Sequence, residues 1–509
     1  MLLSALPGVS LPSLLILIVA GGITYVLYQI LYRVYWHPLA KYPGPWYAAA
    51  TSLTAAVYSY KQTEPQWLQS LVDKYGSDTP IRIQPGMLLF PKPSSMKQIY
   101  WDSDCNMKSG LYGTGILGPP HLFTTLDGET HKGLRKALAG PPWVIGSLKN
   151  NWEPRIDEQV NLLVRKLTEK SEKKEAVVLS DKVAEFAADI MTMLSFTDPF
   201  GFVKNGRDER RILTNWREGL DFFGVAGRWK FLQKNILTLP GIGSLILPKI
   251  TDETGMGWLI AEANRQVDQR EADMSNGIVR QKPDFMQHAI DARMDGEPLS
   301  PLQKRAHVTL LIQAGADTTG TGLGSTLRFM TTHPDKGAKA LNEIKKADSA
   351  GLLSTPVQFE EVRQHLPYFV ACIKESLRLH PPATNLFARV VGPAGKKIGE
   401  HFVPPGTEIT THAYIVQRDP TLYAPDPHEF RPERWLDENK SLEMDAASFV
   451  FGMGSRVCLG KDIAIMELYK LLPELVRRFE FDLIKPGRYV VAGGVAYNQE
   501  FLVTPKLRH

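Results

Sequence analysis

The sequence predicts a mainly α fold with a small β-sheet region, built as a single large domain behind an N-terminal transmembrane helix. Three observations carry that expectation. Apolar residues recur at helical spacing through most of the chain, in one case without interruption from 300 to 332. Strand-like runs are few and short. The chain also opens on an uncharged apolar stretch that has no counterpart later.

The N-terminal stretch comes first. No charged residue precedes Arg33, and residues 11–32, LPSLLILIVAGGITYVLYQILY, have about the length needed to cross a hydrocarbon core. Tyr25, Tyr28, Tyr32, Tyr35 and Trp36 resemble an interfacial belt. Arg33 and Lys41 follow the span, which places the remaining chain on the cytosolic side and leaves 1–10 as a short lumenal N-terminus. A cleaved signal peptide is the alternative, but the run is long and lacks both a basic front and a small-residue cleavage site. Asn439-Lys440-Ser441 is a check on topology, because a lumenal domain would expose it to glycosylation. Residues 33–49 then read as a proline-rich hinge, in which Pro38, Pro43 and Pro45 stiffen the chain and exclude helix. No repeat, low-complexity tract or linker divides 50–509, which read as one domain.

Within that domain, helices are expected at 151–173, 180–196, 257–274, 300–332, 360–378 and 461–479. The longest runs from a Ser300-Pro301 start to a His333-Pro334 stop. Strands are expected at 81–83, 87–90, 397–398 and 408–411. Apolar residues make up 43% of the chain, ample for a large core, and charged residues an ordinary 22%. The net charge of +5 suits a membrane surface or an acidic protein partner, but no long Lys/Arg run supports nucleic-acid binding. The three cysteines, Cys105, Cys372 and Cys458, are far apart and form no C-x-x-C. That excludes a zinc ribbon and a disulfide framework, and favours a reducing compartment. YGTGILGPP contains Gly113-x-Gly115-x-x-Gly118, but no strand precedes it and Pro119-Pro120 follow at once. It therefore reads as a mobile loop rather than a dinucleotide site.

The chemistry gathers around Cys458 in FGMGSRVCLG, residues 451–460. A cysteine at a helix start meets unpaired N–H groups that stabilise a thiolate. Gly452, Gly454 and Gly460 open the backbone for a tight fold and for a flat cofactor. Arg456 is a fixed cation suited to a carboxylate, and Phe451 can pack beside the sulfur. Together these suit an axial thiolate to haem iron. In the long helix, AGADTT at 314–319 places Asp317 and Thr318 where they could pass protons to activated oxygen. Gly315, Gly320, Gly322 and Gly324 read either as a groove for a small ligand or as close helix packing.

F-G-x-G-x-R-x-C-x-G resembles the signature of the haem-thiolate monooxygenases, the cytochromes P-450, and other blocks follow in that family's order. The resemblance implies haem as cofactor, with Cys458 as the metal ligand and Thr318 and Asp317 as the oxygen-activating pair. It implies a buried network of Glu375, Arg378 and Arg434, from E-x-x-R and FRPERW, as structural residues. It also implies haem-propionate contacts from Arg456, Arg389, Arg135 and His131, the last standing where the family has tryptophan. The N-terminus and KYPGPW are similar to those of filamentous-fungal microsomal enzymes of the endoplasmic reticulum, many of which act in secondary metabolism on terpenoids, polyketides or alkaloids.

The implied reaction is reductive activation of O2, with one oxygen atom inserted into a hydrophobic small molecule and the other lost as water. The chain has no flavin or nicotinamide domain. A membrane-bound NADPH-cytochrome P-450 reductase is the implied partner, docking near Arg456, Lys461, Lys132 and Lys136, with cytochrome b5 a second candidate donor. Leu310, Gln313, Ala314, Asn385 and Leu386 are candidate pocket residues, with Tyr112 as a cap. A haem-thiolate isomerase or dehydratase, a xenobiotic-detoxifying oxygenase and a haem carrier without turnover remain alternatives. The Asp317-Thr318 pair argues against the isomerase.

Overall fold

The computed structural model describes residues 11–105, 107–113, 120–278 and 284–508. The N-terminal residues 1–10 and most of the Gly113-x-Gly115-x-x-Gly118 loop, at 114–119, lie outside the described residues. Helix Leu11–Leu31 runs into a π-helical turn, Tyr32–Trp36. The stretch Pro12–Trp36 has 25 residues and a mean hydropathy of 2.2, and none of its most apolar window is buried against the protein. It is long and apolar enough to cross a membrane.

The hinge is shorter than expected. Residues 33–36 continue the helix and Trp46–Ala50 form a short one, because Pro45 in extended backbone (ψ 134°) is a good entry to a helix and not a bar to it. The end of the anchor is fastened to the globule. Arg33 Nη1 donates to Ala50 O (2.9 Å), and the buried Arg82 donates through Nη1 to Arg33 O (2.8 Å).

The largest core cluster lies where helices Glu153–Glu172, Leu179–Phe196, Pro301–Thr332, Pro367–Leu379 and Lys461–Arg478 pack together. Helix Pro301–Thr332 starts at a capping box, in which Ser300 Oγ accepts from Gln303 N and Gln303 Oε1 accepts from Ser300 N. Its glycines serve close packing. A Cβ at Gly320 would lie 2.9 Å from Ala184 Cα, and one at Gly315 would strike the Met191 side chain. Helix Leu179–Phe196 therefore sits tight against the central helix, and the groove reading of these glycines gives way to the packing one.

The expected helix 360–378 is two helices, Phe359–His365 and Pro367–Leu379. Pro367 cannot donate to the first helix, and Leu366 leaves helical geometry before it (ψ 55°). The strands expected at 81–83, 87–90 and 408–411 form one sheet with Arg389–Val390, in the order Ile81–Gln84, Met87–Leu89, Glu408–Thr410, Arg389–Val390. Residues 396–398 pair with 401–403. A long C-terminal hairpin, Phe479–Ala492 with Val495–Leu507, joins Val177–Val178 in a separate sheet. It was not among the expected strands.

Candidate functional site

Residues 451–460 form a tight loop that enters helix Lys461–Arg478 through Gly460 as its N-cap. Cys458 N donates to Phe451 O (2.8 Å), which closes the loop. Gly452 and Gly454 both sit at φ +72°. A Cβ on Gly454 would lie 2.2 Å from Tyr100 O, so only glycine allows the loop to rest on this backbone. Gly454→Ala is therefore expected to destabilise the protein by more than about 2 kcal/mol through positive φ and the backbone clash together. Thermal unfolding of the full chain measures it.

The Cys458 side chain has open surface. Burial nevertheless pushes its thiol up in pKa, against the opposing pull of the Gly460 N–H, Arg135 and Lys461. Both hold if the sulfur opens onto internal space. The helix start alone does not make a thiolate here; a bound metal cation at the sulfur would. Phe451 is partly buried, with Lys461 Nζ 5.9 Å from its ring centroid. Cys105 and Cys372 are buried, and burial pushes the Cys372 thiol up.

Positive charge gathers beside this loop. Arg389, on the sheet, donates through Nη1 to Tyr112 Oη (2.8 Å), and its guanidinium lies 5.1 Å from the Tyr100 ring centroid. Lys108, also buried, donates to Leu122 O (3.0 Å) and Phe123 O (2.6 Å). Its pKa falls to about 6 through burial and the charges of Arg456 and Arg389. Arg456 falls to about 10, through burial and Arg389. His131, buried in helix Gly128–Leu138, falls to about 2 through burial and then Lys108, Arg456, Arg135 and Arg389. Tyr112 and then Asp127, on the surface, oppose this field at Arg456. A set of basic groups that disfavour one another's charge fits a ligand edge carrying two carboxylates, as a haem does. Arg135 is turned elsewhere: its Nη1 donates to Val457 O (2.6 Å) and braces the cysteine loop.

The central helix presents the oxygen-activation candidates. Ala314 is exposed in the middle of a largely buried helix, and Thr318 Oγ1 donates to Ala314 O (2.6 Å). Asp317 is buried and bound at Oδ1 by Arg217 Nε (3.0 Å) and Nη2 (2.6 Å), from helix Ile212–Arg228. Its Oδ2 is buried with no hydrogen-bond partner among the described residues.

The buried network takes the expected form. Glu375 accepts from Arg378 Nε (2.8 Å) and Nη2 (2.9 Å), Arg434 Nε (3.0 Å), Trp435 Nε1 (2.8 Å) and Arg431 N (2.9 Å).

The family model for cytochrome P-450 matches residues 120–489, well over half of the chain. The chain belongs to the cytochrome P-450 family. Cytochrome P-450 monooxygenase gsfF of Penicillium aethiopicum is 29% identical, over 97% of this chain and 99% of its own length. Cytochrome P-450 monooxygenase esdpH of Penicillium shearii is also 29% identical, over 90% and 92%. Quiannulatic acid synthase of Emericella variicolor is 27% identical over 88% of each. The P-450 family binds haem through a cysteine thiolate, and the fungal monooxygenase relatives make this chain an oxidoreductase.

Measured against that cofactor, the structure brings Arg389, Arg456, Lys108 and His131 together, and places Arg135 on the cysteine loop. Lys108 and Arg217 were not singled out in the sequence. Leu386, a candidate pocket residue, is instead fully buried core beside Ile83 and Leu89. Leu310 packs beside a second core cluster, and Asn385 Oδ1 accepts from Arg228 Nη2 (3.1 Å).

Proposed function

We propose that this protein is a membrane-anchored haem-thiolate monooxygenase that oxidises a hydrophobic small molecule in fungal secondary metabolism. The observation that carries the reading is the open sulfur of Cys458 at the end of a glycine-bent loop, beside a gathering of basic groups, Lys108, Arg389, Arg456 and His131. In this reading the Cys458 sulfur would bind the haem iron, Arg456, Arg389, Lys108 and His131 would hold its propionates, and Phe451, Gly452 and Gly460 would help bind the cofactor, with Arg135 fixing the loop. The fungal relatives named as monooxygenases support the metabolic setting.

Bound haem supplies the dioxygen chemistry. The chain's part is to position substrate, exclude water and meter protons. Thr318 Oγ1 holds a proton that it shares with Ala314 O. Asp317 uses one oxygen to hold Arg217 and keeps Oδ2 for a water. Asp317→Asn retains the shape but cannot carry the proton, and is expected to lower the rate of product formation about 100-fold. The check is product formed per NADPH consumed, with the solvent isotope effect measured alongside.

Electrons come from an NADPH-dependent reductase, with cytochrome b5 as an auxiliary donor. Lys132 and Lys136 are exposed on helix Gly128–Leu138 beside the cysteine loop, and Lys461 opens the following helix. The apolar N-terminal helix supports anchoring in the endoplasmic reticulum, with 50–509 as the catalytic domain on the cytosolic side. Purified reductase, NADPH and a panel of apolar terpenoid, polyketide and alkaloid substrates test the reading. NADPH- and O2-dependent product supports it, whereas isomerised peroxide without NADPH use, or haem binding without turnover, overturns it.

A further inference from the structure

Two short stretches of the sequence have no part in the haem-thiolate reading. FTDPFG at 196–201 leaves helix Leu179–Phe196, and DERR at 208–211 leads into helix Ile212–Arg228. Three of their residues take left-handed backbone without being glycine: Thr197 (φ +79°), Arg210 (φ +52°) and Arg211 (φ +54°). A residue with a Cβ adopts that conformation at a cost, a β-branched one most of all, and keeps it only where its surroundings impose it. Here they do. Arg155 Nη2 donates to Thr197 O, and Thr197 Oγ1 donates to Asp284 Oδ2 (2.6 Å). Asp208 accepts from Leu213 N (3.0 Å) and Thr214 N (2.8 Å), which fixes the second turn.

Between the two turns and the start of helix Gly255–Ser275 lies a cleft of about 390 Å³. Its aromatic residues touch one another. Phe196 stacks on Phe200, with centroids 5.3 Å apart, and Phe200 meets Trp258 edge to face at 5.6 Å. Three carboxylates, Asp198, Glu209 and Glu262, complete most of the lining. Glu262 is taken up by Arg265 Nε (2.9 Å) and Nη2 (2.6 Å) and by Gln266 Nε2 (2.8 Å). Glu209 Oε1 accepts from Asn205 Nδ2 (2.7 Å) and Arg207 Nε (3.0 Å), and its Oε2 takes no hydrogen bond among the described residues. Asp198 is exposed. Aromatic faces beside carboxylates suit a cation with an apolar body. The chain supplies a cation of its own: the Arg210 guanidinium lies 5.4 Å from the Trp258 ring centroid. Arg210 is exposed and makes no hydrogen bond or ion pair among the described residues. One exposed cation–π contact is a weak hold, and the backbone beneath it is strained, so this occupant is easily displaced.

We propose that this cleft binds an organic cation of the aryl- or alkylammonium class, and that Arg210 covers the Trp258 face until the ligand displaces it. None of the lining residues belongs to the site around Cys458, so the proposal stands apart from the haem-thiolate reading.

The probe is benzyltrimethylammonium, with benzamide as an uncharged aromatic control. Each is titrated by calorimetry into the full-length wild type, Arg210→Ala, Arg211→Ala and Trp258→Leu. Arg210→Ala is expected to bind the cation about fivefold to tenfold more tightly than wild type, because the resident competitor is gone, and to leave benzamide binding unchanged. Arg211→Ala removes a neighbouring exposed arginine and should match wild type. Trp258→Leu should lose the cation. In protein labelled with 5-fluorotryptophan, the resonance that is missing from Trp258→Phe should shift when the cation is added. Arg210 is exposed, so Arg210→Ala keeps the test decisive even where Trp258→Leu fails to fold. An unchanged affinity in Arg210→Ala would overturn the proposal, since the arginine would then cover no site. An equal gain in Arg211→Ala would overturn it by assigning the attraction to surface charge alone. A gain in Arg210→Ala without a shift at Trp258 would place the cation elsewhere and overturn it too.

Discussion

Glu375→Ala is expected to abolish haem incorporation and to destabilise the domain by about 3–5 kcal/mol, a large fraction of the roughly 5–15 kcal/mol that holds a domain folded. The reason is the number and kind of donors that this one carboxylate serves. Arg378 and Arg434 are both buried guanidinia, and Glu375 is the only carboxylate that either meets among the described residues. Alanine would leave two buried positive charges with carbonyl partners only, and would also strand Trp435 Nε1 and Arg431 N.

The damage would not stay local. Arg378 holds Gln417 O (2.7 Å), Pro427 O (2.7 Å) and Glu429 O (3.2 Å), and Arg434 holds Tyr423 O (2.7 Å). The Gln417 side chain in turn accepts from Phe449 N (3.1 Å), two residues before the cysteine loop begins. Glu375 thus supports segment 417–434, and through it the approach to Cys458, without touching the site. Thermal unfolding and haem absorbance per mole of purified protein measure the effect together. Normal haem content at an unchanged midpoint would show that the network is dispensable.

The same network shows what a sequence can and cannot carry. Glu375 and Arg378 lie one helical turn apart, so spacing alone puts them on one face. The cysteine loop is legible for a similar reason: its glycines, cation and sulfur are contiguous, although the contact that demands Gly454 is with the distant Tyr100 O. The central helix is bounded by a capping box and by a proline, both local signals.

Long-range partnerships left no such trace. Arg217 reaches Asp317 across 100 residues of chain, and nothing in TNWREGL distinguishes it from a surface arginine. Lys108 lies in an unremarkable NMKSG and becomes part of the site only because the fold lays Leu122 and Phe123 carbonyls over its ammonium. Leu386 follows the E-x-x-R helix as a pocket residue would, yet the sheet buries it. The C-terminal hairpin contains Pro486 and Gly487, residue types that are unfavourable inside a strand. In the structure its register shifts between Leu483 and Lys485, and Gly487 takes φ +67° within the strand. The split at Leu366 was legible in principle, since a proline inside a helical pattern ends the preceding helix.

Cys458→Ser is the substitution with the most direct readout. In the reduced, carbon-monoxide-bound state, wild type is expected to show the strongly red-shifted Soret band of thiolate-ligated haem, and the variant is expected to lack it, together with all NADPH-dependent product formation. Serine is nearly isosteric, so the structural role of the residue survives: the backbone bond from residue 458 to Phe451 O, the Gly460 N-cap and the Arg135 bond to Val457 O involve no sulfur. What changes is the ligand. A serine hydroxyl is a far weaker acid than a thiol, and burial, which already pushes the Cys458 thiol up, would hold the hydroxyl protonated. The cation cluster is untouched by the exchange, so the propionate edge would keep its partners and haem would still be retained, though weakly. An unchanged thermal midpoint in the variant separates lost ligation from lost folding. A wild-type band at the position of histidine-ligated haem, or a red-shifted band that survives in the serine variant, would assign the iron to another residue, and the roles proposed for the loop and for Asp317 and Thr318 opposite it would fall together.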